Sequence, residues 1–397
     1  MATFENSELG RGIKIVMKVA VCLPSFNESS NIQNITRIVD QGLTVFLSKR
    51  TNVEAVIVNV DSNSSDDTVL LFKETDTVTA KHSIVVTENG GKGKNILEFC
   101  RYVLSHNIDY CLTLDTDIVS AIPEWVTKLL TPLLEQNVLY VTPVYERSRF
   151  EGSSTNHFAF PLVYALSGKI VRQPIAGDFA FSRKLANAIC NNDLVNTESI
   201  QKYGIDIFMT LMAVGMEDRV VEVNLGKKLH APSFNKLEFM FPQIAASALL
   251  SSTKVTVGES EDIEYGSNNI LQNLNFPHKE AAKEMKRRAQ ETLETQGVLG
   301  WTSDELVTKF VEATSADVLN EVEIVALWTT IMSDWLKRFR SQQLTPTVAE
   351  QAGQELLPFF VLRATSFWFW AETVDVDDVE RAIRNQAELL RNKIQAI

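Results

Sequence analysis

The sequence predicts an α/β fold in which a mainly parallel sheet is followed by an α-helical C-terminal region. Two features of the chain indicate this. In the first half, short apolar segments ending in polar loops alternate with amphipathic helical segments, as in repeated β-α-β units. From about Phe241 onward strand patterns nearly disappear. We therefore expect a lead-in over residues 1–17, an α/β domain over residues 18–240 and a helical domain over residues 241–397.

Composition and charge narrow the class of protein. The chain has 397 residues, of which 45% are hydrophobic and 22% charged, so it can bury a large core. Its net charge of -12 gives no overall attraction to nucleic acid or to an anionic membrane. No apolar run is long enough to cross a bilayer, and the N-terminus does not resemble a signal sequence. The four widely spaced cysteines suit reduced thiols. We expect a soluble, cytoplasmic protein without stable membrane insertion, and homo-oligomerisation stays open.

The first two predicted strands end in loops rich in hydrogen-bonding oxygens. A strand over residues 18–24 leads into Pro24-Ser25-Phe26-Asn27-Glu28, ahead of a helix over residues 32–47. A second strand, over residues 53–60, leads into Asp61 and a Ser- and Asp-rich loop. The carboxyl ends of parallel strands form the ligand-binding edge of such sheets. These loops are therefore expected to line a binding crevice.

A glycine- and lysine-rich segment follows a third predicted strand over residues 84–87. The sequence Gly90-Gly91-Lys92-Gly93-Lys94 comes just before a helix over residues 96–104. Glycines let the backbone approach a ligand closely, and a lysine at a helix start can meet phosphate charge. The spacing is not that of a P-loop. A plain flexible turn is the alternative.

An acidic pair, Asp115-Thr116-Asp117, follows the apolar run over residues 111–114. This order places both carboxylates at the C-terminal end of a buried strand. Two hard oxygen ligands there suit Mg²⁺ or Mn²⁺ holding a diphosphate. The same pattern also occurs in solvated turns.

Three further polar positions accompany predicted elements downstream. Small residues beside an acid at Gly177-Asp178 indicate close backbone approach to a ligand, with Asp178 projecting into it. Asp206 falls in the first turn of an apolar helix, where an acid is also favourable for the helix itself. His230 follows a predicted strand over residues 220–225, and its imidazole could complete a metal site. A structural role is the alternative for the histidine.

The remaining stretches are predicted from their local patterns. A strand over residues 138–144 is followed by an irregular polar loop over residues 145–157, in which Arg147 and Arg149 could contact substrate or lie on a bare surface. Residues 251–275 are expected to form a flexible connection. Helices are predicted over residues 279–292, 318–339, 355–370 and 376–397.

In their order and spacing, four of these motifs resemble those of glycosyltransferases with the GT-A fold. They are the segment Pro24 to Glu28, Asp61 with its loop, Gly91-Lys92-Gly93, and Asp115-Thr116-Asp117, and the resemblance covers residues 18–232. It implies a Rossmann-like nucleotide-sugar-binding domain. The implied reaction moves a hexose from a nucleotide-diphospho-sugar, such as a UDP- or GDP-sugar, to a hydroxyl acceptor.

Within that fold, the downstream half resembles the mannosylglycerate synthase and glucosyl-3-phosphoglycerate synthase group. The shared features are Gln173-Pro174 with Gly177-Asp178, the segment over residues 203–206, and Gly226-Lys227 with His230. The resemblance implies a retaining enzyme that uses Mn²⁺ or Mg²⁺. The nucleotide sugar would contact Pro24, Asn27, Glu28, Asp61, Gly91, Lys92, Asp115 and Gly177; the metal would be held by Asp117 and His230, with Asp115 beside it. The catalytic candidates are Asp206, Lys92 and, as the base of an inverting enzyme, Asp178.

Several functions stay open at this level. The acceptor could be glycerate or a related small hydroxy acid, although no set of basic residues for a glycerate phosphate can be placed. It could also be large, such as a polysaccharide, a protein or a hydroxymethylated DNA base, with the helical region as its platform. The motifs also permit a non-catalytic sugar-nucleotide-binding protein, or a nucleotidyltransferase, which would produce pyrophosphate. The donor base and sugar are not specified.

Overall fold

A mixed sheet of eight strands organises the described part of the chain. The computed structural model describes residues 16–87, 90–216, 218–229, 236–255, 258–259, 270–271, 276, 278–295 and 299–395. The strand order is β3-β2-β1-β4-β6-β5-β7, and β8 pairs with β5. The strands are β1 (Met17–Ser25), β2 (Val53–Asp61), β3 (Ala80–Val85), β4 (Tyr110–Thr113), β5 (Tyr140–Ser148), β6 (Phe179–Ser182), β7 (Val220–Lys227) and β8 (Ile270–Leu271).

Most neighbouring strands in this sheet are parallel. Strands β3, β2, β1 and β4 pair in parallel, as does β5 with β7 and β8. Only β6, among the described strands, runs antiparallel to its neighbours β4 and β5. The predicted mainly parallel α/β sheet is therefore confirmed, and the order of its strands places the ends of β1, β2 and β4 side by side.

Eight helices join the strands in the first part of the described chain, and both faces of the sheet are covered. Residues Val19 to Leu23 of β1 are fully buried, which explains their continuous apolar run. The helices are α1 (Ile32–Ser48), α2 (Thr68–Glu74), α3 (Lys92–Ser105), α4 (Pro123–Gln136), α5 (Phe160–Ser167), α6 (Arg183–Cys190), α7 (Glu198–Gln201) and α8 (Ile205–Val214).

Several predicted elements differ from the structure. The helix predicted over residues 96–104 begins at Lys92, the helix predicted over residues 355–370 begins at Pro346, and strand β6 was not predicted. The third strand begins at Ala80 rather than at residue 84, because it is an edge strand whose polar side chains hide the strand pattern. The predicted irregular loop over residues 145–157 is wrong in its first and last parts. Strand β5 continues to Ser148 because Tyr145 and Glu146 pair with β7, and a π-helical turn, Thr155–Ala159, leads directly into α5.

The C-terminal part is helical, as predicted. Its helices are α9 (Leu237–Ser252), α10 (Lys279–Thr295), α11 (Asp304–Ser315), α12 (Glu321–Arg340), α13 (Pro346–Ala371) and α14 (Val376–Gln395). Their apolar core also includes residues 158–166, which belong to the first half of the sequence. The proposed division at residues 240 and 241 thus stays a prediction. Most of the expected lead-in over residues 1–17 and of the expected connection over residues 251–275 lies outside the described residues. Where they are described, Met17 already belongs to β1, and Ile270–Leu271 form the short strand β8 instead of a flexible connection. No described helix is long and apolar enough to span a membrane.

Candidate active site

A large cavity opens at the C-terminal edge of β1, β2 and β4. Its volume is about 1070 Å³, at the upper end of the roughly 300–1,000 Å³ that a single drug-sized ligand usually occupies. The loops after these strands contribute Pro24, Glu28, Ser62 and the segment Asp115-Thr116-Asp117 to its wall. This is the edge where the sequence predicts ligand binding.

A lysine bridges two carboxylates near the centre of the cavity. Lys92 opens α3, and its Nζ lies 2.9 Å from Asp115 Oδ1 and 3.1 Å from Asp206 Oδ2. Burial alone would lower the pKa of Lys92, but the Asp115 and Asp206 carboxylates together raise it above its ordinary value. The side chain therefore remains a cation. Three residues predicted from separate motifs are brought together here.

The same centre has a deficit of positive charge around its carboxylates. Burial and the nearby charge of Asp115 raise the pKa of Asp117 above its ordinary value. Burial also raises the pKa of Asp206, although Lys92 opposes the shift. A divalent cation would relieve this repulsion, and carboxylate oxygens are suitable ligands for Mn²⁺ or Mg²⁺. The acidic pair therefore fits a metal-assisted site.

The described residues alone do not complete a metal site. Among them, no group of three or more His, Cys, Asp or Glu side chains could hold a metal ion. His230 lies outside the described residues. The chain just before it is held beside the acidic loop, because Leu229 N donates to Ser120 Oγ at 2.8 Å and its carbonyl accepts from Val119 N at 3.0 Å.

Of the residues predicted to contact the nucleotide, only some reach the cavity. Pro24, Glu28 and Gly91 line it, together with the exposed aromatic ring of Phe26. Burial raises the pKa of Glu28, against a hydrogen bond from Asn31. Gly91 packs closely against the backbone of α7, since an added Cβ would lie 2.7 Å from Gln201 O.

Asn27 and Asp61 are not on the cavity wall, contrary to their expected contact with the nucleoside. Asp61 is fully buried and accepts hydrogen bonds from Ser25 Oγ at 2.6 Å and from Ser64 N and Oγ at 2.7 Å. Asn27 has a φ of 54° and accepts from Ser65 N at 2.9 Å. Both side chains join the loops after β1 and β2 by hydrogen bonds, behind the cavity wall.

Asp178 does not project into the cavity, which corrects its expected orientation. It is fully buried, and its carboxylate accepts from Tyr145 OH at 2.6 Å, Lys228 Nζ at 2.6 Å and Asp115 N at 2.9 Å. Gly177 likewise approaches Asp115 rather than open cavity, since an added Cβ would lie 2.0 Å from Asp115 Oδ2. Gly177 and Asp178 both pack against Asp115 and so fix the position of the acidic pair.

The sequence patterns did not identify Lys228 as a residue of the site. Lys228 lines the cavity and links Asp178 to the carbonyl of Ala176 at 2.8 Å. Its position in the polar stretch after the strand predicted over residues 220–225 could have indicated this. Arg147 does line the cavity, whereas Arg149 is buried and donates to the carbonyls of Ala371 and Val374 at 2.7 and 2.6 Å.

Comparison with known proteins relates part of the chain to a family. Residues 20–198 match the family model described as Glycosyl transferase family 2. Over this segment the chain is similar to glycosyltransferases of that family. The segment extends from β1 into α7 and contains Lys92, Asp115 and Asp117. The sheet, with its helical C-terminal region, has the GT-A architecture expected from the sequence.

Similar solved structures include glucosyl-3-phosphoglycerate synthase from Mycobacterium tuberculosis. Its complex with Mn²⁺, UDP-glucose and phosphoglyceric acid is 22% identical, with 66% of this chain and 88% of that chain covered and a TM-score of 0.47. The complex of that enzyme with Mg²⁺ and UDP is 23% identical, with coverages of 62% and 81% and a TM-score of 0.46. No curated protein matches this chain.

Proposed function

We propose that this chain is a metal-dependent, retaining glycosyltransferase that moves a hexose from a nucleotide-diphospho-sugar to a hydroxyl acceptor. The observation that supports it best is the position of Lys92 between Asp115 and Asp206 within the large cavity. A cation and carboxylates are thereby concentrated where the loops of a glycosyltransferase domain converge. The binding of a donor diphosphate requires such a centre.

A nucleoside diphosphate leaves as an anion, and the charged groups of the site supply the positive charge that stabilises it. Asp117 and Asp115, with His230, would hold a divalent cation, which when bound neutralises the developing charge on the leaving diphosphate. Lys92 is kept protonated by its two carboxylates and provides a second positive charge at the same centre. Its stem is fixed at the start of α3, so this charge is already oriented before donor binds.

Retention of anomeric configuration is supported by the burial of Asp178. An inverting transferase needs a base that contacts the acceptor hydroxyl. Asp178 is closed off behind Asp115 and bonded to Tyr145 and Lys228, so it is unsuited to that contact. Asp206 does line the cavity, and we assign it to the orientation of the transferred sugar and the acceptor. In the retaining reaction, the leaving diphosphate itself accepts the acceptor proton.

Donor binding provides the first test of this function. Isothermal calorimetry and thermal shift with UDP-glucose, GDP-mannose and ADP-glucose, each with and without Mn²⁺, should show metal-dependent binding of one donor. Asp117→Asn and His230→Ala should weaken it. Asp304→Asn, an exposed acid at the start of α11, is the matched control and should bind normally. Absence of donor binding with Mn²⁺ present would contradict the proposal.

Product analysis separates sugar transfer from nucleotide transfer and from simple binding. A glycosyltransferase releases the nucleoside diphosphate, whereas a nucleotidyltransferase releases pyrophosphate and a binding protein releases neither. Proton NMR of the product should show the anomeric coupling of the donor sugar if configuration is retained. An inverted product would contradict the proposed retention of configuration but not the proposed sugar transfer.

A further inference from the structure

The cavity continues past the charged centre into an apolar end. Phe150, Phe276 and Trp368, which we call the aromatic group, line this end together with Met240 and Ile244. The rings of Phe150 and Phe276 are stacked, with centroids 4.7 Å apart and planes at 8°. Trp368 meets Phe276 edge-on at 5.9 Å. Mutual packing of this kind holds large side chains in defined positions.

Polar side chains accompany the aromatic group at the end of β5 and on the segment that follows it. Arg147, Glu151 and Thr155 line the cavity, and so do the serines at positions 148, 153 and 154. Arg147 Nε donates to Gln173 Oε1 at 3.3 Å, and its guanidinium lies 5.6 Å from the ring of Tyr145. The apolar end therefore offers both donors and acceptors of hydrogen bonds beside an aromatic surface.

The charges on the cavity wall are balanced. The described lining includes six acidic side chains and six lysines or arginines: Glu28, Asp115, Asp117, Glu151, Glu198 and Asp206, and Lys92, Lys94, Arg147, Lys202, Lys228 and Lys236. Among these bases, Lys92, Lys202 and Lys228 form ion pairs with carboxylates. The donor diphosphate also adds negative charge when it binds.

This balance disfavours a second anion at the apolar end. A buried phosphate or carboxylate needs charge partners that compensate for its lost hydration. Arg147, near the end of β5, lines the cavity, and so does Glu151 four residues further along the chain. A neutral molecule requires only hydrogen bonds and apolar contact, and the apolar end supplies both.

We infer that the acceptor is an uncharged sugar, an inference that rests on the proposed transferase function. A sugar ring presents C–H groups on its faces, which pack against aromatic rings, and hydroxyls at its edge, which suit a guanidinium and a carboxylate. Its hydroxyl oxygen forms the new bond to the anomeric carbon while the bond from that carbon to the diphosphate oxygen breaks. The bonding electrons leave with the diphosphate, which also takes the hydroxyl proton.

The inference gives the helical region a role in acceptor choice. Trp368 belongs to α13 and Met240 to α9, whereas Phe150 and Glu151 follow strand β5 of the sheet. The apolar end is therefore assembled from both parts of the chain. We expect the residues around Lys92 to determine donor binding and the aromatic group to determine which hydroxyl compound accepts the sugar.

An acceptor panel tests this inference on the intact protein. With the donor that binds, transfer to methyl glucoside, methyl mannoside, maltose and sucrose is compared with transfer to D-glycerate and 3-phosphoglycerate. Transfer to at least one sugar, and none to the acids, is the expected result. Transfer to an acid, or to no sugar in the panel while donor still binds, overturns the inference. Failure of donor binding instead contradicts the proposed function.

Two variants locate the sugar at the apolar end. Phe150→Leu should raise the KM for the accepting sugar by about fivefold, which corresponds to the contribution of about 1 kcal/mol that one aromatic contact makes. Glu151→Gln, at an exposed position that tolerates substitution, should also raise it. The KM for the donor should not change in either variant. Phe339→Leu, which replaces an equally buried ring away from the cavity, is the matched control. An unchanged acceptor KM in both variants would overturn the location.

Discussion

The Nζ of Lys228 lies 2.6 Å from Oδ2 of Asp178, in a part of the site closed to solvent. Only 4% of the lysine side chain and none of the aspartate side chain is exposed. The same carboxylate accepts from the backbone N of Asp115. A buried ion pair thus fixes Asp115, the first acid of the pair on the cavity wall.

We predict that Asp178→Asn destabilises the protein by about 3–5 kcal/mol, because it leaves Lys228 buried without its anion. Lys228→Met should lower the free energy of unfolding by a similar amount, since it leaves the Asp178 carboxylate buried without a counter-charge. The double variant should regain part of the lost stability, as neither charge then remains buried. Urea unfolding of the three variants measures the coupling. Additive losses in the double variant would show that the pair does not interact.

The second prediction concerns Gly177, which has a φ of +88° and packs against Asp115. In Gly177→Ala the added Cβ would lie 2.0 Å from Asp115 Oδ2 and 2.9 Å from Lys92 Nζ. The carboxylate and the lysine must then move. Donor affinity measured by calorimetry should fall by at least about tenfold, which corresponds to about 1.4 kcal/mol.

Gly226→Ala is the matched control for this change. Gly226 has a φ of +75°, so alanine carries a similar backbone strain, but no atom lies within 4 Å of the added Cβ. Both variants should lose some stability, and only Gly177→Ala should lose donor affinity. Equal affinities for donor in the two variants would mean that the contact with Asp115 is unimportant.

Glu380 joins the helical region to the segment that follows α5. Its carboxylate accepts from Arg172 Nε and Nη2 at 3.1 and 3.0 Å and from Arg384 Nε at 2.9 Å. We predict that Glu380→Gln lowers the free energy of unfolding by about 3–5 kcal/mol, because two buried guanidiniums lose their counter-charge. Glu372→Gln breaks a more exposed ion pair with Lys279 and should cost at most about 1 kcal/mol.

The same carboxylate should contribute to acid denaturation. Burial alone would raise the pKa of Glu380, but Arg172 and Arg384 together lower it from its ordinary value. Its folded pKa therefore lies below the unfolded value of about 4.3. The stabilisation is present above that pH and is lost as the pH falls toward the folded pKa. Unfolding free energies measured between pH 6 and pH 3 should fall less steeply in Glu380→Gln than in the unmodified protein.

His157 should make stability depend on pH in a higher range. Burial, and then the charge of Arg363, lowers the pKa of His157 well below its ordinary value, and its ring packs edge-on against Phe367 at 4.3 Å. The unfolded chain takes up a proton near pH 6.5 that the folded chain excludes. Stability should therefore fall as the pH drops below about 6.5, by at most about 1.4 kcal/mol per pH unit.

Unfolding free energies at pH 7.5, 6.0 and 5.0 measure this slope. His157→Leu should flatten it, because the excluded proton site is gone from both states. His106→Leu, at an exposed position, should leave the slope as it is in the unmodified protein. If both variants keep the same slope, another group is responsible for the pH dependence.

Local sequence patterns were sufficient for most of the parallel strands and for the centre of the site, but not for strands β6 and β8. The run of buried residues in β1 is apolar because both faces of a parallel strand are covered, and that signal needs no knowledge of the neighbours. Lys92, Asp115 and Asp117 could be placed at one edge because parallel strands end on the same side. Asp206 was also found, since it opens a helix that points its first turn at this edge.

The sequence by itself determined which segments meet at this edge, because strand type and loop chemistry are local properties. Only the tertiary structure decided which acids face the cavity. Asp115 and Asp178 both follow apolar or small residues, but Asp178 meets Lys228, fifty positions away in the chain, and becomes buried. The extension of β5 likewise depends on pairing with the distant strand β7. A carboxylate's surroundings are set by packing between remote segments, and residue spacing alone does not contain that information.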